Sequence, residues 1–160
     1  MVPRTLSARY RAHPVVSVPY VLCYVQVAVV YKMLGGDEGS RKCEELAAWT
    51  VRNCPQNLRA VSHARRILGT SFAERGEWSE ARGYFEDSIR AAERFDHQLW
   101  VILALRDWQQ AVPQDRSTIT QRLETAVGEL PFHVTDELKD RLLNANSLHL
   151  AQTRPEDILT

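Results

Sequence analysis

The sequence has little glycine, proline or cysteine, and it has no net charge. Its 160 residues include seven glycines, seven prolines and three cysteines, and twenty basic residues balance twenty acidic ones. A neutral chain has no overall field that attracts nucleic acid, so we expect no nucleic-acid partner. The odd cysteine count matches no disulfide framework and predicts reduced thiols in a cytoplasmic protein. Scarce glycine and proline, with abundant Ala, Leu, Arg and Glu, favour helix over strand.

The sequence also lacks residues arranged for catalysis or metal binding. The glycine-rich stretch GGDEGS at 35–40 has neither the lysine nor the preceding strand of a phosphate-binding loop. Cys43 and Cys54, with His63 nearby, do not have a recognised zinc spacing. We therefore predict a protein that is not an enzyme and has no catalytic residues, no metal and no cofactor.

Residues 14–31 contain no charged side chain, and three arginines precede them. Such a run resembles a signal anchor or a marginal transmembrane span. Pro19 and Gln26 interrupt it, however, and no small-residue cleavage site follows, so we expect no membrane contact. The valine-rich part, LCYVQVAVVY, also suits a buried strand. The helical pattern that follows it favours a helix.

Residues 57–94 have the pattern of two neighbouring helices. Apolar residues recur at helical spacing at Leu58, Val61, Ala64, Leu68 and Phe72, and again at Ala81, Phe85, Ile89 and Ala92. Gly76 lies between the two runs and suits the left-handed end of a helix. A short break between two apolar stripes predicts an antiparallel helical hairpin.

The hairpin pattern recurs on both sides. In the first helices, Val27, Ala28, Tyr31 and Gly35 lie 41 residues before Leu68, Gly69, Phe72 and Gly76. In the second helices, an offset of 38 relates Cys43, Ala47, Thr50 and Val51 to Ala81, Phe85, Ser88 and Ile89, and these to Ile119, Leu123, Ala126 and Val127. Pro55 and Pro131 close the outer copies at matching places. A recurrence of about forty residues predicts stacked helical pairs.

The pattern gives a map of the chain. We predict helices at 16–34, 38–53, 57–75, 78–94, 97–111, 116–130 and 135–151. Asp115 and Thr135 are the expected N-caps of the last two helices. The helical-repeat domain spans 15–151, with a flexible or incomplete leading segment at 1–14 and a tail at 152–160.

The stretch LGTSFAERGEWSEARGYFEDSI, residues 68–89, resembles a tetratricopeptide repeat. The resemblance is carried by Leu68, Gly69, Phe72, Gly76, Ala81 and Phe85. It is good over 62–93, partial over 21–55 and poor over 97–131. In the last of these copies Asp107 stands at an aromatic position and Ala111 at the glycine. The long units and enlarged turns are similar to the tetratricopeptide-like arrays of bacterial signalling ATPases and transcription regulators.

The resemblance implies an all-α, right-handed solenoid of about three helical hairpins plus a C-terminal capping helix. Its first helices line a concave groove, and such grooves bind proteins or peptides. The family's best-known peptide clamp uses basic and asparagine side chains. Arg66 occupies one of the basic places, but Thr70 stands where the asparagine belongs, so a complete clamp is not expected.

Basic residues are concentrated in the middle of the chain, where no acidic residue occurs between Leu46 and Ala73. Four side chains there, spaced four, three and four residues apart, share one helix face and form what we call the third-helix stripe: Arg59, His63, Arg66 and Thr70. We predict that this stripe binds an acidic peptide or a carboxylate. The alternative is that its arginines pair with Glu44, Glu45 or Glu74, or face water.

Trp108 is the fifth candidate for partner binding. It is either an exposed aromatic anchor in the groove or a tryptophan packed between helices with its indole N–H bonded. Together these features predict a non-catalytic scaffold for a protein or peptide. The alternative is a fragment or diverged copy of the regulatory helical-repeat region of a larger signalling or transcription-regulatory protein. Its apolar residues 15–31 then bury against a missing partner, a second copy or a membrane, and a homo-oligomer would form through residues 15–34.

Overall fold

The computed structural model describes residues 18–131 and 135–144, and the side chains of these residues except 18–24, 141 and 144. Over that part of the chain the secondary structure is entirely helical, as the sequence predicts. The helices are α1 Val18–Leu34, α2 Gly36–Asn53, α3 Leu58–Glu74, α4 Trp78–Arg94, α5 Gln98–Ala111, α6 Arg116–Gly128 and α7 Asp136–Asn144, with a 3-10 turn at Pro113–Asp115. The predicted segments at 1–14, 145–151 and 152–160 lie outside the described residues.

The helix ends follow local sequence signals. Gly76, with φ +77°, closes the α3–α4 turn in the left-handed region, as predicted. Asp96 adopts the same region, with φ +52°, after α4. The Thr135 hydroxyl accepts a hydrogen bond from the Leu138 N–H at 3.2 Å, which confirms its predicted capping role. Asp115 precedes α6 but makes no side-chain cap, because its carboxylate is bound by Arg82 and the Trp108 indole.

The repeat predicted from the sequence also predicts which residues of the second helices are buried. Eleven of the twelve corresponding positions are buried, and the twelfth, Val51, is partly exposed. The buried residues are Cys43, Ala47, Thr50, Ala81, Phe85, Ser88, Ile89, Ile119, Leu123, Ala126 and Val127. In the first helices, the corresponding small residues Ala28 and Gly69 are both buried. Val27 departs from the pattern: its counterpart Leu68 is buried, whereas Val27 is 44% exposed.

Small residues allow α3 and α4 to pack closely. A Cβ added to Gly69 would lie 3.0 Å from the ring of Phe85, so the glycine leaves room for that ring. Elsewhere along the same two helices, the buried hydroxyls of Ser62 on α3 and Ser88 on α4 lie 3.1 Å apart. The Ser88 hydroxyl also donates to the Ser62 carbonyl oxygen. This polar contact satisfies groups that would be costly to bury unpaired.

Each helix from α1 to α6 packs on the next one along the chain, and the first helices of successive pairs also touch, because α1 contacts α3 and α3 contacts α5. The buried residues form two clusters. One contains Val25, Ala47, Cys54, Ala60, Ala64 and Leu68, and the other extends from Ala73 and Phe85 through α5 and α6 to Leu142. Phe72 packs against both clusters and joins them.

Helix α1 differs from the others in its exposed face. Val30, Met33 and Leu34 are 53%, 49% and 73% exposed, and they join Val27 among the exposed large hydrophobic residues. No helix in the described ranges is both long and apolar enough to cross a bilayer. The apolar character of α1 therefore leaves a surface that the described part of the chain does not cover.

Candidate binding site

The third-helix stripe faces α5, and its members differ in how open they are to solvent. Arg59 is exposed, and its guanidinium carbon lies 5.9 Å from the ring centroid of Phe95. Arg59 forms no ion pair with the residues that the structure describes. A guanidinium over an aromatic face keeps its N–H donors free in the plane. Arg59 is thus available to a carboxylate.

His63, one turn further along α3, is only partly exposed. Its ring meets Trp100 edge to face, with 5.5 Å between the ring centroids. Burial, assisted by the positive charge of Arg66, lowers the pKa of His63 to about 3. The imidazole is therefore neutral at physiological pH, and its buried Nδ1 atom has no hydrogen-bond partner.

Arg66 is turned inward rather than toward an open groove. The residue is 8% exposed, and its Nε and Nη2 atoms each lie 2.7 Å from Oδ2 of Asp107 on α5. Arg66 is therefore already paired within the chain, and its predicted role in binding a partner stays a prediction. Asp107 neutralises Arg66 from the neighbouring first helix α5.

Thr70 completes the stripe without taking part in an accessible site. Its hydroxyl donates to the Arg66 carbonyl oxygen one turn earlier, at 3.1 Å. Such a bond within the helix uses the hydroxyl proton locally. Thr70 therefore presents no free donor comparable to the asparagine of the clamp.

Trp108 is also buried, with 6% of its surface exposed. Its ring stacks on Phe85 with 5.9 Å between centroids, and its indole N–H donates to Asp115 at 2.9 Å. The alternative in which this tryptophan packs between helices describes the structure, and the exposed groove position does not. Arg82 binds the same carboxylate through two nitrogens, at 2.6 and 2.8 Å, and holds the pKa of Asp115 below its usual value.

The acidic residues proposed as alternative partners of the arginines are bound elsewhere. Glu44 pairs with Arg75, Glu45 with Arg41 and Glu74 with Lys32. Arg65 donates to the Asp87 carbonyl oxygen instead, at 3.1 Å. The stripe arginines therefore do not use the carboxylates expected from the sequence.

The accessible part of the site is a small aromatic and cationic surface, which we call the Arg59 patch. It consists of Arg59, His63, Phe95, His97 and Trp100. Trp100 is the centre: its ring lies 5.5, 6.2 and 6.5 Å from the rings of His63, Phe95 and His97. All four aromatic side chains are partly exposed. This combination suits a carboxylate next to an apolar or aromatic group.

Other basic and acidic residues lie near the members of the Arg59 patch in sequence. Arg52 at the end of α2 and Arg94 at the end of α4 are exposed, and so are Glu93 and Asp96. Because α3 and α4 run antiparallel, the end of α4 lies beside the start of α3. The surrounding charge is therefore mixed, and Arg59 is the cation in direct contact with the aromatic side chains.

A concave surface lies between α4, α5 and α6. It is an open groove of about 260 Å³ lined by residues that include Val101, Leu105, Ala126 and Arg122. Arg122 is already paired with Glu86 at 2.7 Å and lies over the Trp108 ring. The other charged residues of its lining are the carboxylates Glu93 and Glu129, so the lining offers no unpaired cation to a carboxylate.

The cysteine residues carry no reactive group in the described part of the chain. Cys43 and Cys54 are buried free thiols. Burial raises the pKa of Cys43 to about 11 and also raises that of Cys54. Both thiols stay protonated at neutral pH, so neither is poised as a nucleophile.

Comparisons with protein-family models, curated proteins and solved structures found no match to this chain. Sequence reasoning identified Arg59 and His63 but not their aromatic neighbours Phe95 and His97. The signal was present, because these residues occupy the turn that follows α4, which a hairpin brings beside the start of α3.

Proposed function

We propose that this protein is a non-catalytic scaffold that binds a protein or peptide carrying a carboxylate. In this proposal the helical pairs form a tetratricopeptide-like right-handed solenoid, and the Arg59 patch lies on the face built by its first helices. The packing of α1 on α3 and of α3 on α5 supports the arrangement, because successive first helices are neighbours in such a stack.

The observation that carries the proposal is the state of Arg59. It is exposed, has no ion-pair partner in the described ranges, and rests on Phe95 beside the half-buried Trp100. Unpaired arginine and partly exposed tryptophan are the residue types that contribute most to binding energy at protein interfaces. Arginine also binds carboxylates through two parallel hydrogen bonds.

The test uses peptides, because the natural partner is unknown. A random peptide library is selected against the purified chain, and the enriched peptides are measured by isothermal titration calorimetry. We expect acidic or carboxylate-terminated peptides, and we expect Arg59→Glu to weaken their binding at least about tenfold. Arg116→Glu is the matched control, since Arg116 is exposed at the start of α6, away from the Arg59 patch. Equal binding by wild type and Arg59→Glu would refute the proposal.

A second candidate function is favoured by the exposed face of α1. There the chain acts as the regulatory helical-repeat part of a larger signalling or transcription-regulatory protein and associates through α1. Val30 and Leu34 lie one helical turn apart on this face and are both more than half exposed. In light scattering, we expect the wild type to self-associate and Val30→Glu/Leu34→Glu to be monomeric. A monomeric wild type with an active Arg59 patch favours the free-standing scaffold.

A further inference from the structure

The groove between α4, α5 and α6 combines apolar residues with two carboxylates, and we call it the acidic groove. Two of its lining residues, Glu93 on α4 and Glu129 directly after α6, are exposed. Four others are apolar and almost fully buried: Ile89, Val101, Leu105 and Ala126. A ligand that complements this lining has an apolar part and a positive charge.

The two carboxylates are not neutralised by the chain. Among the described residues, neither Glu93 nor Glu129 forms an ion pair. Arg122, the cation of the lining, is paired with Glu86 instead. Arg90, three residues before Glu93 on α4, forms its ion pair with Asp87. The acidic groove therefore presents negative charge that a cation from outside can neutralise.

Gln98 holds one of these carboxylates at the groove. Its side-chain amide donates to Oε2 of Glu129 at 3.3 Å and to the Ala126 carbonyl oxygen at 3.1 Å. These bonds join the start of α5 to the end of α6. Gln98 is uncharged, so it orients the Glu129 carboxylate without removing the need for a cation.

The size of the acidic groove limits what it can receive. Its volume is about 260 Å³ and it is open to solvent. Pockets that enclose a whole small molecule usually measure about 300–1,000 Å³. A single long side chain of a larger partner fits this space better than a cofactor does. Lysine and arginine have the required form, because their alkyl stems lie along apolar surface while the charged end stays at the solvent.

The acidic groove and the Arg59 patch use different faces of α5. Trp100 and Asp107 contact His63 and Arg66 on α3. Val101, by contrast, lines the groove together with residues of α4 and α6. A partner can therefore occupy one surface without covering the other.

We propose that the acidic groove binds an arginine or lysine side chain of a partner protein or peptide. The alkyl stem lies on Val101 and Leu105, and the charged end meets Glu93 and Glu129. The occupant follows from charge complementarity, since the lining has two unpaired carboxylates and no unpaired cation. This site goes beyond the proposed binding of a carboxylate, because its ligand has the opposite charge.

The test starts from Arg59→Ala, which removes the cation of the Arg59 patch. A random peptide library is selected against this variant, and the enriched peptides are measured on the wild-type chain by isothermal titration calorimetry. We expect peptides with an arginine or lysine next to apolar residues. Citrulline in place of the arginine, or norleucine in place of the lysine, removes the charge at nearly constant length and should weaken binding at least about tenfold.

Variants of the groove then locate the binding site. Glu93→Gln/Glu129→Gln should weaken these peptides about three- to tenfold at low ionic strength, and less when salt is added. Glu80→Gln/Glu124→Gln is the matched control, because both glutamates are exposed on α4 and α6 but do not line the groove. Thr125→Lys places an ammonium group of the chain itself at the exposed edge of the groove and should weaken binding at least as much.

Two results overturn the proposal. One is selection of peptides that lack a basic residue. The other is equal affinity of basic peptides for the wild type and for Glu93→Gln/Glu129→Gln. The proposal fails separately from the one on the Arg59 patch, because the peptides are selected without Arg59 and the decisive substitutions lie on another face of α5.

Discussion

The guanidinium of Arg66 and the carboxylate of Asp107 form a buried ion pair between α3 and α5, in which two nitrogens share the single oxygen Oδ2. The side chains are only 9% and 11% exposed, so water screens the pair weakly. The pair connects the first helices of two successive helical pairs.

Breaking this pair is expected to destabilise the protein strongly. Asp107→Asn keeps the size of the side chain but leaves Arg66 buried without a counter-charge, which costs about 3–5 kcal/mol of unfolding free energy. Urea denaturation followed by circular dichroism measures the loss. The double variant Arg66→Met/Asp107→Leu is the control: it removes both charges and should recover most of the stability. A double variant as unstable as Asp107→Asn would contradict the electrostatic explanation.

The close contact of α3 and α4 predicts opposite effects for two glycine substitutions. Gly69→Ala places a methyl group 3.0 Å from the Phe85 ring and should cost about 1–3 kcal/mol by overpacking. Gly83 lies within α4 with nothing within 4 Å of an added Cβ, so Gly83→Ala should stabilise the protein by up to about 1 kcal/mol. Thermal and urea unfolding compare the pair. A stabilising Gly69→Ala would show that the ring adjusts freely.

Burial of His63 predicts a loss of stability in acid. The pKa of His63 is lowered to about 3 in the folded protein, whereas its value in the unfolded chain is about 6.5. As the pH falls below about 6.5, the unfolded state binds a proton that the folded state rejects. Stability from this group is therefore complete above that pH and decreases by up to about 1.4 kcal/mol per pH unit until the pH nears 3.

His63→Gln tests this dependence, because glutamine does not titrate. Denaturation between pH 7 and pH 4 should show a smaller slope for the variant than for the wild type. Nuclear magnetic resonance of the wild-type imidazole should detect no protonation between pH 8 and pH 5. An imidazole that titrates near its ordinary pKa would contradict the buried neutral state.

The position of Trp108 separates stability from binding. Trp108→Phe keeps an aromatic ring near Phe85 but removes the hydrogen bond to Asp115, and it should cost about 1–3 kcal/mol of unfolding free energy. Affinity for peptides selected on the Arg59 patch should not change, since Trp108 lies in the core. Calorimetry and denaturation on the same sample test both statements. If Trp108→Phe weakened peptide binding as much as Arg59→Glu does, Trp108 would belong to the binding site and the prediction would be contradicted.

The positions of the helices followed from the sequence because two simple signals agreed along most of the chain. Helical apolar spacing located α3 and α4, and Gly76 marked the turn between them. The recurrence of the same spacing then located the outer pairs, including the buried positions Ile119 and Leu123. Local helix propensity and the repeat period predict the same helix positions, so these positions are determined by two independent signals.

The partners of the predicted site residues were harder to predict from the sequence than the helices. Helical spacing correctly placed Arg59, His63 and Arg66 on one face, but it does not determine what lies opposite that face. Arg66 is neutralised by Asp107, which is distant in sequence and belongs to the next helical pair. The departure of Asp107 from the repeat was visible in the sequence, and an acidic residue at an apolar position is a signal for a buried basic partner.

Phe72 packs against both buried clusters, so its side chain is a contact that two otherwise distinct cores share. A protein with two such cores can unfold in more than one step. The α1–α2 half can open while the rings and aliphatic side chains of α4 to α6 stay packed, and amide protons of the first pair would then exchange with solvent sooner than those of α5. The free energy of local opening would then differ between the helical pairs and increase from the α1–α2 pair toward α5.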